Sequence, residues 1–244
     1  MGYENGCILC GDEIIYLDSA KKMTCAVCGK EFESNAVCKN GHYVCDTCHA
    51  EAAYAVIKYV CLKSKSKNPV EIMEEIIKSP AVHVHGPEYH VIVSSVLLTA
   101  YHNAGGDLDL EPALDAAKMR GMKVIGGFCG LAGACGAGIS SGIFLSIALK
   151  TTPLSDTNWG LGMQLTSACL GEIGKTGGPR CCKRDSFTSI KTTVAFVKSE
   201  LGVAMELPEK IVCRYSADNH ECLKGRCPYF PMKKNDLQSP ILEK

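Results

Sequence analysis

The stretch that decides the fold is residues 25–48, CAVCGKEFESNAVCKNGHYVCDTC. It holds Cys25-x2-Cys28, Cys38-x3-His42 and Cys45-x2-Cys48, and a further pair, Cys7-x2-Cys10, lies upstream. A Cys-x2-Cys knuckle turns two thiolates toward one ion, and zinc takes four such ligands in a tetrahedron. Cys7, Cys10, Cys25, Cys28, Cys38, His42, Cys45 and Cys48 therefore supply two complete ligand sets for two zinc ions. Complete sets leave no position for water, which predicts scaffold rather than catalysis. Gly11 and Gly29 stand directly after knuckles, where the chain has to turn through a left-handed residue.

Two pairings are open. A sequential one makes a zinc ribbon from the first four ligands and a second site from the last four. The run from Cys25 to Cys48 also resembles the first six ligands of a RING finger, and helix entry at Cys45-x2-Cys48 resembles a treble clef. That resemblance implies Cys25, Cys28, Cys45 and Cys48 on one ion, with Cys7, Cys10, Cys38 and His42 on the other. The upstream pair would then stand where a RING has its last one. His49, just past the final knuckle, is read as a solvated residue of a helix N-terminus.

Outward from this module, composition narrows the rest. The chain has 244 residues, 46% of them hydrophobic, enough to bury a core. It carries sixteen cysteines. Its first residues lack the basic start and apolar core of a secretory signal, so a cytoplasmic protein is expected, with cysteines serving metals or reactive thiols rather than disulfides. Formal net charge is zero, which disfavours a nucleic-acid partner. Lys58, Lys63, Lys65 and Lys67 form the one basic stretch, read as a solvated linker. Residues 124–149 contain no charge and are long enough to span a bilayer, but Gly126, Gly127, Gly130 and Gly133 suit close packing instead. No membrane is expected.

The resulting fold class is a small β-rich di-zinc ribbon or treble-clef module followed by an all-α domain. The module covers 1–50, a helix and linker 51–69, a cysteine-rich helical domain 70–230, and a frayed tail 231–244. Helices are expected from the last cysteine pair through Val60, over 70–78 behind an Asn68-Pro69 start, from Gly86-Pro87 to about Gly105, and from Asp109 to Gly121. A glycine-rich helix should stop before Thr151, another should run from Ser155 or Asp156 to about Ile173, and a last one should start at Asp185 or Ser186 and end at Gly202.

The helical part carries its own cysteines. Cys61 sits on an apolar helix face, and Cys129, Cys135, Cys169, Cys181, Cys182, Cys213, Cys222 and Cys227 lie farther on. Thiols gathered from separate segments suit an iron–sulfur cluster, whereas buried, inert cysteines are the alternative for several of them. Gly127-Phe128-Cys129, the helix bearing Cys169, and Cys181-x-x-Arg184-Asp185 follow one another in an order that resembles the α domain of the iron–sulfur L-serine dehydratases. The resemblance implies a 4Fe–4S cluster on Cys129, Cys169 and Cys181, with lyase or sulfur chemistry at an open iron. In the tail, Cys213, Cys222 or Cys227 is a candidate fourth ligand, which would close the cluster and turn it toward electron transfer or structure. The whole chain also resembles an uncharacterised family of cysteine-rich archaeal and bacterial proteins, sometimes joined to methyltransferase modules. That implies a partner enzyme of such a kind.

His83-x-His85-Gly86-Pro87-x2-His90 is the densest histidine group, and Glu88 offers it a carboxylate. These residues are candidate acids, bases or ligands, against an alternative of solvated imidazoles at a helix start. Gly174-Lys175-Thr176 lacks the upstream glycine and strand of a phosphate loop. Lys175, Arg180, Lys183 and Arg184 nevertheless surround the Gly177-Gly178 turn and could hold a small anionic substrate. Three function classes remain: an iron–sulfur enzyme, an adaptor whose zinc module recruits a partner, and a thiol redox protein using Cys181-Cys182 or Cys129/Cys135.

Overall fold

A computed structural model describes residue 7 and residues 9–231; most of the tail expected at 231–244 lies outside them. A cysteine-rich β-hairpin comes first, β1 (Ile14–Thr24) and β2 (Glu31–Cys38). The strands are antiparallel, from Ile14 opposite Cys38 to Thr24 opposite Glu31, with a register shift between Tyr16 and Lys21. The connection between the strands is the Cys25 knuckle itself, and Gly11 and Gly29 have φ of 77° and 70°, as the turn after each knuckle requires.

A large, mostly α-helical domain follows: α1 (Asp46–Lys63), α2 (Pro69–Ile77), α3 (Tyr89–Asn103), α4 (Leu110–Gly121), α5 (Phe128–Ala132), α6 (Gly136–Ala148), α7 (Thr157–Thr176) and α8 (Cys182–Leu201). The α2 start is as expected, with the Asn68 side chain accepting from the Val70 and Glu71 amides and Pro69 in the first turn. α3 is the central helix, packed against α1, α2, α4, α6 and α8. It is apolar all round because it meets protein on every side.

Three boundaries differ from expectation. The glycine-rich loop contains the short helix α5, α7 runs on to Thr176, and α8 begins at Cys182 with Cys181 as its N-cap. Asp185 does not cap α8. It lies buried in the first turn, accepting from Arg184 Nε at 2.8 Å.

The α6 part of the uncharged stretch is packed inside the protein, whereas Ile125 and residues 130–133 before it are exposed. A Cβ on Gly142 would collide with Thr166 Oγ1, and one on Gly138 would stand 2.7 Å from Leu170 Cδ2, so α6 and α7 approach at a distance only glycine permits. Ser140 Oγ donates to the His90 carbonyl at 2.6 Å and accepts from the Ser94 amide at 2.9 Å, which ties α6 to α3. Among the described residues no helix is long and apolar enough to cross a membrane.

Beyond α8 the chain is irregular. It returns to the domain through the Glu206 amide on the Lys67 carbonyl, and the Cys213 amide on the Tyr229 carbonyl closes the segment on itself. Tyr229 meets Phe187 edge-on, which fixes this segment against the start of α8.

Candidate metal centres and the cleft between them

Cys7, Cys10, Cys38 and His42 bring their ligand atoms within 4.8 Å of one another, and so do Cys25, Cys28, Cys45 and Cys48. The arrangement is interleaved, and the hairpin explains it. The Cys25 knuckle forms the turn at one end, next to the start of α1, where Cys45 is the N-cap. The Cys7 knuckle lies at the other end, where β2 finishes at Cys38. His42 Nδ1 stands 3.3 Å from Cys10 Sγ, Cys10 and Cys38 sulfurs are 3.5 Å apart, and Cys28 and Cys45 sulfurs 3.9 Å. A zinc–sulfur tetrahedron has edges of about 3.8 Å, so both groups have the size of a zinc site.

Backbone amides point at these sulfurs: Asn40 N–H donates to Cys38 at 3.4 Å and Cys45 N–H to Cys25 at 3.3 Å. The Asp12 amide is the main reason the Cys10 thiol is lowered to about 6. A thiol that ionises near neutral pH is ready to ligate.

Between the hairpin and the helical domain lies a cleft of about 580 Å³. One wall is the hairpin, through Tyr16, Phe32 and Ala36, and the other is formed by the starts of α1, α3, α6 and α8. Two of the cleft's lining residues, His49 and His83, join Glu88, which does not itself line the cleft, in a third gathering of ligand atoms within 4.8 Å of one another. Glu88 is fully buried, and its Oε1 accepts from the His83 amide at 2.9 Å and lies 3.3 Å from His83 Nδ1. Its Oε2, 3.9 Å from His49 Nδ1, has no hydrogen-bond partner. The two imidazole rings are 4.2 Å apart.

Burial, and then the neighbouring His83, lower the His49 pKa, so its ring stays neutral near pH 7. Burial works to raise the Glu88 carboxyl, but the hydrogen bond with His83 holds it below its usual value. His49 is therefore not a solvated residue. Its neighbours on the helix showed this: Ala50, Ala53 and Ile57 are the buried face of α1, and His49 stands four residues before Ala53.

The other expected residues separate. His90 lines the cleft, and its Nδ1 donates to the Val124 carbonyl at 2.8 Å, which leaves Nε2 as an acceptor. His85 also lines it, with Nε2 3.2 Å from Asn219 Oδ1 and from Glu221 Oε2. Arg180 stands on the rim, bonded to the Tyr16 hydroxyl at 2.6 Å. Lys175 is exposed on α7, paired with Glu172, and does not line the cleft. Arg184 is buried, tied to Asp185 and to the Pro179 carbonyl.

Cys129, Cys169 and Cys181 are not gathered. Cys129 lines the cleft with Cys135 and Cys182. Cys169 is fully buried between α7 and α8, its sulfur 3.7 Å from the Ser189 carbonyl and from Thr193 Oγ1. Cys181 instead shares a small, partly open cavity with Cys213, Cys222 and Cys227. The adjacent thiols of Cys181 and Cys182 thus face different hollows, and burial raises both, as it raises Cys135 to about 12. Thiols held protonated make poor redox nucleophiles.

Residues 57–230 match the family of unknown function DUF5714, and the chain belongs to that family. The matched segment begins inside α1 and includes His83, Glu88 and every cysteine from Cys61 to Cys227. No curated protein and no solved structure matches the chain.

Proposed function

We propose that this member of DUF5714 is a metalloprotein in which two structural zinc ions hold the hairpin as the lid of a cleft, and a third metal on His49, His83 and Glu88 works inside that cleft. The observation that carries this is the buried Glu88 carboxylate, with Oε2 lacking a partner beside two imidazoles. A carboxylate in that position is costly unless something positive meets it. Two histidines and one carboxylate leave coordination positions open, unlike the two closed four-ligand groups. The donor set fits zinc or ferrous iron, which would supply a Lewis acid to a carbonyl, hydroxyl or thiol leaving group.

The chain's own residues supply the rest. Arg180, steadied by the Tyr16 ring 5.5 Å away, is placed to anchor an anionic group of a small substrate. His90, neutral and with Nδ1 engaged, offers Nε2 as a proton acceptor. This arrangement suits hydrolysis or elimination, and it moves lyase chemistry away from a cluster on Cys129, Cys169 and Cys181.

Metal analysis of the purified full chain tests this. These three sites should account for two tightly held zinc ions and one exchangeable divalent ion. Glu88→Ala, His49→Ala and His83→Ala should each lose only the third. Variants that keep the same metal content as the parent would sink the assignment.

A further inference from the structure

A second hollow lies on the other side of α8's first turn. Cys181, Cys213, Cys222 and Cys227, all half-buried, line a small, partly open cavity of about 20 Å³, together with Lys183 and Arg184. Each sulfur meets a backbone amide two or three residues ahead of it: Arg184 for Cys181, Tyr215 for Cys213, and Tyr229 and Phe230 for Cys227. For Cys222 the donor is the Lys224 amide at 3.4 Å. The same amide-to-sulfur turns surround the N-terminal groups, as at Cys38 with Asn40. Cys61 and Cys169 meet side-chain hydroxyls or a carbonyl instead. Cys135 in the cleft also meets the Ala137 and Gly138 amides, so it is the shared hollow together with the amide turns that groups these four.

Size and charge then choose the occupant. Among the described residues, no three of these sulfurs lie within 4.8 Å of one another, unlike the two N-terminal groups. A zinc ion holds its thiolates about 3.8 Å apart, whereas a cubane cluster holds four on the corners of a body several atoms wide, so the wider set suits the cluster.

The charge is right as well. Lys183 and Arg184 are 5% and 4% exposed, and both line the hollow. Lys183 Nζ finds only the Val84 carbonyl at 3.4 Å and the rings of Tyr89 and Tyr215. Arg184 has Asp185, but its Nη1 has no partner. Asp185 meets Arg184 directly and Glu88 acts on Lys183 only at longer range, so a cluster with four thiolates would add negative charge beside both buried cations.

We propose that Cys181, Cys213, Cys222 and Cys227 bind a 4Fe–4S cluster, one thiolate to each iron. With all four irons ligated by cysteine, the cluster has no open Lewis-acid position, so it serves electron transfer or structure rather than substrate binding. It would lie next to the cleft. Asn219 donates to Cys181 Sγ at 3.6 Å and takes His85 Nε2 on its other end at 3.2 Å, while Cys182 faces the cleft itself.

The test is anaerobic purification of the full chain, with iron, acid-labile sulfide and zinc measured together. About four iron and four sulfide per chain are expected, with a visible absorbance that bleaches on reduction. Cys181→Ala, Cys213→Ala, Cys222→Ala and Cys227→Ala should each lose the iron and the absorbance while keeping zinc and helical circular dichroism. Cys129→Ala and Cys169→Ala should keep both iron and absorbance. Iron that survives Cys222→Ala and Cys227→Ala but is lost with Cys129→Ala overturns the ligand set. Zinc in place of iron, or no metal beyond the N-terminal ions, overturns the cluster. Glu88→Ala serves as the separating control: it should cost the cleft metal and leave sulfide untouched.

Discussion

In the hairpin region, the described residues from 7 to 49 bury only four side chains, and all four are cysteines: Cys7, Cys25, Cys38 and Cys45. In α3, thirteen of fifteen residues are buried, and most are aliphatic or aromatic. The first region has almost no apolar interior, so its chain entropy has to be met by something other than hydrophobic burial. The second has an interior of ordinary kind. Two adjoining pieces of one chain therefore reach a fixed structure by different physical means, and α1 joins them, its first turn carrying ligands and its later turns carrying core residues.

The strongest way to break this comparison is to remove the proposed zinc. Structural zinc is worth about 10–16 kcal/mol in small modules at neutral pH. Chelation, or Cys25→Ser or Cys38→Ser, should abolish the hairpin's dispersed amide signals in NMR. Helical circular dichroism should fall little, because the core below α1 does not use these ligands. A parallel loss of helix would mean that the two regions are one cooperative unit.

The reverse experiment acts on the core. Phe144 is fully buried and meets Tyr101 edge-on with ring centroids 5.7 Å apart. Phe144→Ala should cost about 3–5 kcal/mol, measured by urea denaturation of the helical signal. Zinc content should not change.

What could be read from the sequence follows the same division. The N-terminal cysteines and His42 are close in sequence, at spacings fixed by the knuckle turn, so the residues that gather were legible. Spacing alone left two pairings open, and the RING resemblance was what favoured the interleaved grouping found in the structure. The apolar periodicity of α1 to α4 was legible too, since it reports the local repeat. His49 was not recognised, because whether a helix's first turn faces water or a neighbouring loop is decided by tertiary packing. The cavity cysteines were harder still. Cys181 lies on a helix cap and its three companions on an irregular segment, and no local period links them. The dehydratase resemblance pointed to Cys169 instead, a residue whose sulfur is committed to α8 inside the core.

A smaller effect sharpens the contact between the regions. A Cβ placed on Gly136 would collide with the His90 ring, and His90 is packed between α6 and the loop at Val124. Gly136→Ala should cost about 1–3 kcal/mol through this overpacking. It should also shift the His90 ring resonances in NMR, while both N-terminal groups keep their metal.

The smallest expected effect tests whether the helical domain depends on local signals at all. Asn68 accepts from Val70 N–H at 3.0 Å and from Glu71 N–H at 3.4 Å, and it is nearly fully buried. Losing an N-cap of this kind costs about 1 kcal/mol, with the orphaned amides as the cause. Asn68→Ala should lower the urea midpoint by a corresponding small amount, and Asn68→Ser should recover most of it. Because Pro69 already fixes the first helical φ, and Ile72, Met73 and Ile76 are buried in the core, α2 should still form. A local capping signal then trims stability in a region held by its core, whereas one cysteine in the hairpin decides whether that region folds.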